Sequence, residues 1–138
     1  ITENNKEYVL SHGDILMART GATYGKCLYF EGAEKSVYAG YLIKISLDQR
    51  LILNRYFWYY TQSFLFEKQK KQLVTGGGQP QFNANTIKKL IVPVPKIDVQ
   101  KNIIDLLQKE RKIIDNNIKL IEIYSKKIEN RINKIWGE

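Results

Sequence analysis

The residues of this chain best suited to chemistry are hydrogen-bonding amides beside glycine, rather than acids, histidines or thiols. The stretch Thr75-Gly76-Gly77-Gly78-Gln79-Pro80-Gln81-Phe82-Asn83 places Gln79, Gln81 and Asn83 directly after three adjacent glycines. Each amide can donate and accept hydrogen bonds, and a glycine backbone centred on Gly77 allows close approach to another surface. Such a surface suits the reading of base edges, where a paired amide matches adenine. A second group, Arg19, Thr20, Thr23, Tyr24 and Lys26, lies on or beside a turn bounded by Gly21 and Gly25. Arg19 could meet guanine with two hydrogen bonds or hold a phosphate, and Lys26 suits a phosphate. Lys68, Lys70, Lys71, Lys88 and Lys89 would add sequence-independent, salt-dependent affinity if they face DNA, and otherwise serve as solubilising charges. The plainer account of residues 76–78 is a flexible loop, with Asn83 as a turn residue.

Catalytic constellations fare worse. Gly21-Ala22-Thr23-Tyr24-Gly25-Lys26-Cys27 has three residues between its glycines where a phosphate loop has four, and Cys27 stands where a hydroxyl would bind Mg²⁺. His12 is the only histidine, without metal or nucleophile companions, and reads as a loop residue. There is no zinc spacing and no dinucleotide fingerprint. Glu110 and Lys112 sit within a helical heptad and read as a solvated face. No convincing catalytic set or metal site emerges.

The elements that must position these residues come from apolar patterning. Residues 15–18, 26–30 and 41–46 read as strands bounded by glycines. Residues 54–73 read as one helix, with Phe57, Tyr60, Phe64 and Leu65 near one face and Glu67 to Lys71 as its charged end. The run Tyr56-Phe57-Trp58-Tyr59-Tyr60 is too aromatic for a single stripe. Aromatics can stack on unpaired bases, but a helix packed on a sheet is the simpler explanation. Pro93 and Pro95 forbid a helix and favour an extended connector, after which Asp98 suits an N-cap. From Leu107 the apolar residues step by three and four. Leu107, Ile114, Ile121, Ile128 and Ile135 form one column, and Ile104, Ile118 and Ile132 the next, interrupted by Arg111 and Ser125. This is a coiled-coil period. About 38 helical residues span about 57 Å, and the exposed isoleucines require a partner. Ile113, Leu120, Ile123 and Tyr124 lie off that seam and suggest a second contact face. The expected class is therefore α+β: a small mixed α/β domain over residues 1–96, then a long coiled-coil helix over residues 97–138.

Composition bounds the partners. Basic residues outnumber acidic ones by 13 to 8 up to Gln100 and by 9 to 6 beyond it, for a net charge of +8. This favours a polyanionic partner, though a merely basic soluble surface also fits. Cys27 is the only cysteine, so no internal disulfide forms and a reducing, cytoplasmic setting is expected, with Cys27 a small buried side chain. No membrane span or signal peptide is visible. The chain begins at Ile1 rather than Met, and a piece of a longer protein is expected.

The string Gly13-Asp14-Ile15-Leu16-Met17-Ala18-Arg19-Thr20-Gly21 with Gly25-Lys26, the aromatic helix, the Gly/Gln loop, and Ile87-Lys88-Lys89-Leu90-Ile91-Val92-Pro93-Val94-Pro95 leading through Gln100 into the long helix follow one another in order. Together they resemble the specificity subunit of Type I restriction–modification enzymes, over most of residues 13–138. That resemblance implies a target recognition domain followed by a spacer helix, with no catalytic centre; against the family pattern this chain has one such domain rather than two, and residues 1–96 are expected to lack its N-terminal portion. Two such domains each read half of a split double-stranded DNA site. Their helices pair antiparallel and dock methyltransferase subunits that modify adenine with S-adenosylmethionine, and a restriction subunit using ATP and Mg²⁺ can join. No cofactor is expected on this chain. Its helix would pair with another recognition half of the same subunit or with a second copy. Two further readings stay open: the recognition end of a fused endonuclease–methyltransferase, and a coiled-coil interaction module without a DNA role.

Overall fold

The computed structural model describes residues 8–74 and 82–137. The apolar run Ile15-Leu16-Met17-Ala18 shows no polar alternation, the pattern of a strand covered on both faces. It forms the strand β2 (Ile15–Ala18), buried at every position. β2 is the middle of a three-stranded antiparallel sheet, between β3 (Cys27–Tyr29) and β5 (Leu42–Ile45), pairing Ile15 with Tyr29 on one side and with Ile45 on the other. A second antiparallel pair, β1 (Val9–Leu10) with β4 (Ser36–Val37), is too short to show in the apolar pattern.

The aromatic segment packs on this sheet, as the simpler explanation held. α1 (Asn54–Tyr60) lies against β3, where Trp58 Nε1 donates to the Cys27 carbonyl (3.2 Å) and the Trp58 and Tyr29 rings meet at 6.1 Å. Arg55 lies over the Tyr29 ring at 4.0 Å from its centroid and pairs with Glu31 at 2.6 Å.

The single helix expected over residues 54–73 is two. α1 ends at Tyr60, and α2 (Phe64–Leu73) starts afresh behind Ser63, whose hydroxyl accepts from the Phe66 amide at 3.2 Å. Serine stabilises a helix start because its oxygen satisfies an amide that has no partner within the helix. The restart rotates the apolar face. Phe66 becomes fully buried, while Phe64 and Leu65, expected near one face with Phe57 and Tyr60, are exposed.

After α3 (Ala84–Ile87) the chain runs without regular structure to Lys96, as its prolines require. Side chains supply the hydrogen bonds that a neighbouring strand would. The Gln69 amide donates to the Ile91 carbonyl and accepts from the Ile91 amide, both at 2.9 Å. Tyr60 Oη donates to the same carbonyl, and Tyr56 Oη to that of Pro93. This strap ends at α4 (Ile97–Trp136), a continuous 40-residue helix. Asp98 lies within its first turn rather than at the cap, where the helix dipole still favours an acid.

Gln100 joins these pieces. It has zero exposure, and its Oε1 accepts from the Leu53 amide (2.9 Å) while its Nε2 donates to the Leu51 (2.8 Å) and Pro95 (2.7 Å) carbonyls. The chain divides into two compact units, residues 1–101 and 102–138, so Gln100 belongs to the first. In the second, every described residue from Arg111 onward is exposed, and Arg111 pairs with Asp115 at 3.3 Å. No described helix is long and apolar enough to cross a membrane.

Replacing Gln100 by leucine keeps the volume but strands one amide and two carbonyls in the interior. It is expected to lower stability in urea denaturation by about 2–4 kcal/mol, since each unsatisfied buried group costs about 1–3 kcal/mol. A loss within about 0.5 kcal/mol, the range of surface substitutions, would show that the amide is dispensable.

Candidate nucleic-acid interface

Where β2 ends, the chain must turn back into β3, and two glycines make the turn possible. Gly21 has φ +77° and Gly25 φ +74°, left-handed values that a side chain disfavours. Between them Gly21–Thr23 forms a 3-10 turn, with the Tyr24 amide donating to the Gly21 carbonyl and the Lys26 amide to that of Thr23. The base closes through Gly25 N–H to Ala18 O (2.8 Å) and Ala18 N–H to Lys26 O (2.9 Å). The turn therefore sits on the buried strand while its outer residues face solvent. Arg19, Ala22, Thr23 and Lys26 are exposed, Thr20 and Tyr24 half-buried, and Gly25 buried.

Arg19 ties this turn to two other segments through its backbone. Its amide donates to the Tyr41 carbonyl (3.0 Å), and its carbonyl accepts from the Phe82 amide (2.8 Å). Phe82 is fully buried, with its ring edge-on to Phe66 at 6.1 Å, and Phe66 stands likewise against Tyr60 at 5.9 Å. The chain immediately after the Gly/Gln stretch is thus pinned beside Arg19. Gly77, Gln79 and Gln81 lie outside the described residues.

Asn83 has a structural task. It is the N-cap of α3, its Oδ1 accepting from the Thr86 amide (3.0 Å) and hydroxyl (3.2 Å). Bidentate reading of adenine needs the amide oxygen as well as the nitrogen, so while the cap holds, Asn83 behaves as the turn residue of the plainer account. Lys88 is exposed at the C-terminal end of α3, and Lys68, Lys71 and Lys89 are also exposed. Lys70 is different: its side chain is only 11% exposed and pairs with Glu67 at 2.6 Å. Sequence patterning missed Phe66, Phe82 and Tyr41 at this site. Phe82 did carry a signal, as the one large apolar side chain in the polar stretch 75–86.

The turn offers a guanidinium, an ammonium and hydroxyls to solvent, which is binding rather than reaction chemistry. Among the described residues no three His, Cys, Asp or Glu side chains gather as metal ligands. Burial pushes the Cys27 thiol up to about 12, against a smaller opposing effect of its hydrogen bond with Thr61, so it is a packed side chain rather than a nucleophile. Burial also raises the Tyr56 and Tyr60 phenols, keeping both neutral as donors to the strap.

A family model for the Type I restriction modification DNA specificity domain matches residues 1–132. The chain belongs to this family. It is also similar to the Type I restriction enzyme MjaVIII specificity subunit of Methanocaldococcus jannaschii, at 23% identity over 132 residues. That match covers 96% of this chain and 30% of the relative, so the chain spans about a third of the relative's length. In this specificity-domain chain the matched segment runs through the exposed turn, the strap and all but the end of α4.

The Cys27 thiol gives a measurement of how tightly β3 is covered. Unfolding returns it to an ordinary value near 9.0, so only the unfolded chain holds an appreciable thiolate fraction at pH 8. Iodoacetamide at pH 8 is expected to modify the native chain far more slowly than the chain in denaturant, since burial disfavours the reactive thiolate. Similar rates in the two states would mean that the β3–α1 packing opens freely.

Proposed function

We propose that this chain is the DNA-reading part of a Type I specificity subunit, recognising one half of a bipartite duplex site and carrying no catalytic centre. The observation that carries the reading is the glycine-hinged turn of residues 19–26, exposed in a chain of this family and fastened through Arg19 to Phe82 at the end of the Gly/Gln stretch. Arg19 contacts a base edge, Lys26 and Lys88 contact phosphates, and Gln79 and Gln81 are the remaining amide candidates for base contacts.

The long helix acts as scaffold. Ile114, Ile118, Ile121, Ile128, Ile132 and Ile135 are between 47% and 66% exposed along it, and a row of this kind is stable only when covered. It pairs with the helix of a second recognition half or of another copy, and it docks methyltransferase subunits. S-adenosylmethionine chemistry then belongs to those subunits, and ATP and Mg²⁺ to a restriction subunit. The cytoplasm is its working place.

Selection from a pool of random duplexes by the full chain is expected to enrich a short motif. Against that motif Arg19→Ala costs about 1–3 kcal/mol and relaxes preference at one position. Lys26→Ala instead weakens binding to all sequences and lowers the salt slope by about one. Absence of any enriched motif, with no duplex binding at low salt, would leave a coiled-coil module without a DNA role.

Light scattering on the full chain is expected to show helix-driven association that Ile114→Asp with Ile121→Asp abolishes while far-ultraviolet circular dichroism stays helical. A wild-type monomer would mean that the covering helix belongs to a different chain segment or to a methyltransferase.

A further inference from the structure

α2 reaches both parts of the candidate interface. Phe66 packs edge-on against Phe82, which anchors the chain beside Arg19. One helical turn later Lys70 reaches the glycine turn of residues 21–25. Its aliphatic stem occupies the space a Cβ on Gly25 would need: an ideal Cβ there would stand 3.3 Å from Lys70 Cγ and 3.5 Å from Cε, with Cδ closer still. Its Nζ donates to Glu67 Oε1 at 2.6 Å and stands 5.2 Å from the centre of the Tyr24 ring and 5.9 Å from that of Phe66.

A lysine in this position is a poor phosphate ligand. Its charge already faces a carboxylate, and its side chain is only 11% exposed, so little of it is open to a phosphate. Lys68 and Lys71, its exposed neighbours on α2, carry no such constraint. Gly25 in turn has a reason to be glycine beyond its positive φ, since Lys70 fills the space where a side chain would go. The stem and the ammonium over Tyr24 both meet the turn, and the pairing with Glu67 holds the side chain in that place. An ammonium held against an aromatic face is attracted by the ring's electron density.

The geometry points to Lys70 as a positioning residue that holds the turn of residues 21–25 in its presenting shape, so that α2 sets both segments of the interface through Phe66 and Lys70. The consequence for DNA rests on the reading given under Proposed function, whereas the hold on the turn does not.

Amide hydrogen exchange on the full chain tests the hold without DNA. In Lys70→Ala the Gly25 and Lys26 amides, bonded to the Ala18 and Thr23 carbonyls, are expected to exchange about tenfold faster or more, as for a locally opened segment. The amides of β2 should stay unchanged, and Lys70→Arg, which keeps a stem and a cation, should stay near wild type. If Lys70→Ala loosens β2 as well, Lys70→Val, which leaves a smaller void but still lacks the Cδ, Cε and ammonium that meet the turn, carries the same comparison. Wild-type protection at Gly25 and Lys26 in the variant that leaves β2 intact overturns the proposal.

Titration with a duplex selected by the wild type and with a scrambled duplex tests the consequence. Lys70→Ala should weaken the selected duplex about tenfold, the scale of one misplaced base contact, with scrambled-duplex affinity and salt slope unchanged. A parallel fall in both affinities with a salt slope lower by about one makes Lys70 a phosphate contact and overturns the positioning role. If the wild type prefers no duplex, the functional reading fails, and the exchange comparison still decides whether Lys70 holds the turn.

Discussion

Gln100 is a polar side chain with no exposure at all, and three backbone groups from two separate segments depend on it. A buried amide is costly unless all its hydrogen bonds are made, and here one oxygen and two N–H groups each find a partner. The result joins the loop before α1, the end of the proline strap and the first turn of α4 at one point. The strap needs such a device because its prolines and extended backbone cannot join a helix or a ladder. Gln69, Tyr56 and Tyr60 apply the same solution further up, meeting strap groups with side-chain donors and acceptors. A segment without secondary structure of its own is thereby held by side chains in place of a ladder.

The same division between buried scaffold and presented surface organises the candidate interface. The aromatic series Tyr60, Phe66 and Phe82 runs through the core from α1 across α2 to the approach to α3. Its last member carries the amide bonded to Arg19. The presented turn rests on a strand buried on both faces, so its base is rigid, and its two left-handed glycines confine curvature to the loop. Base recognition needs donors held within a few tenths of an ångström of their targets, and short-range packing under an exposed loop is the physical means of holding them.

Much of the architecture was legible because it rests on local pattern. The unbroken apolar run at residues 15–18 read as a strand, and the aromatic segment read as a helix packed on a sheet. The step of three and four residues along the C-terminal isoleucines read as one long helix. The break at residues 61–63 was hidden, because the residues on either side are all good helix formers or aromatics. Only the Ser63 cap, made once Phe66 could be buried, decides for two helices. The surroundings of Asn83 and Lys70 were hidden for a related reason. Residue type says what a side chain can bind, whereas a cap on α3 and a Glu67–Tyr24 setting had already claimed these two.

The sequence by itself determined the three main strands, the absence of a disulfide, the proline strap, the glycine-hinged turn and the heptad helix. Each depends on interactions between neighbours along the chain: steric limits on φ, the missing N–H of proline, and the periods of strand and helix. The tertiary structure alone decided that Phe82 anchors beside Arg19 and that Gln100 is a buried junction. It also decided that Lys70 faces inward to the turn. These are contacts between residues 45 to 63 positions apart, with Gln100 standing 47 and 49 positions from Leu53 and Leu51. Their energies come from desolvation and packing that exist only once the chain has folded.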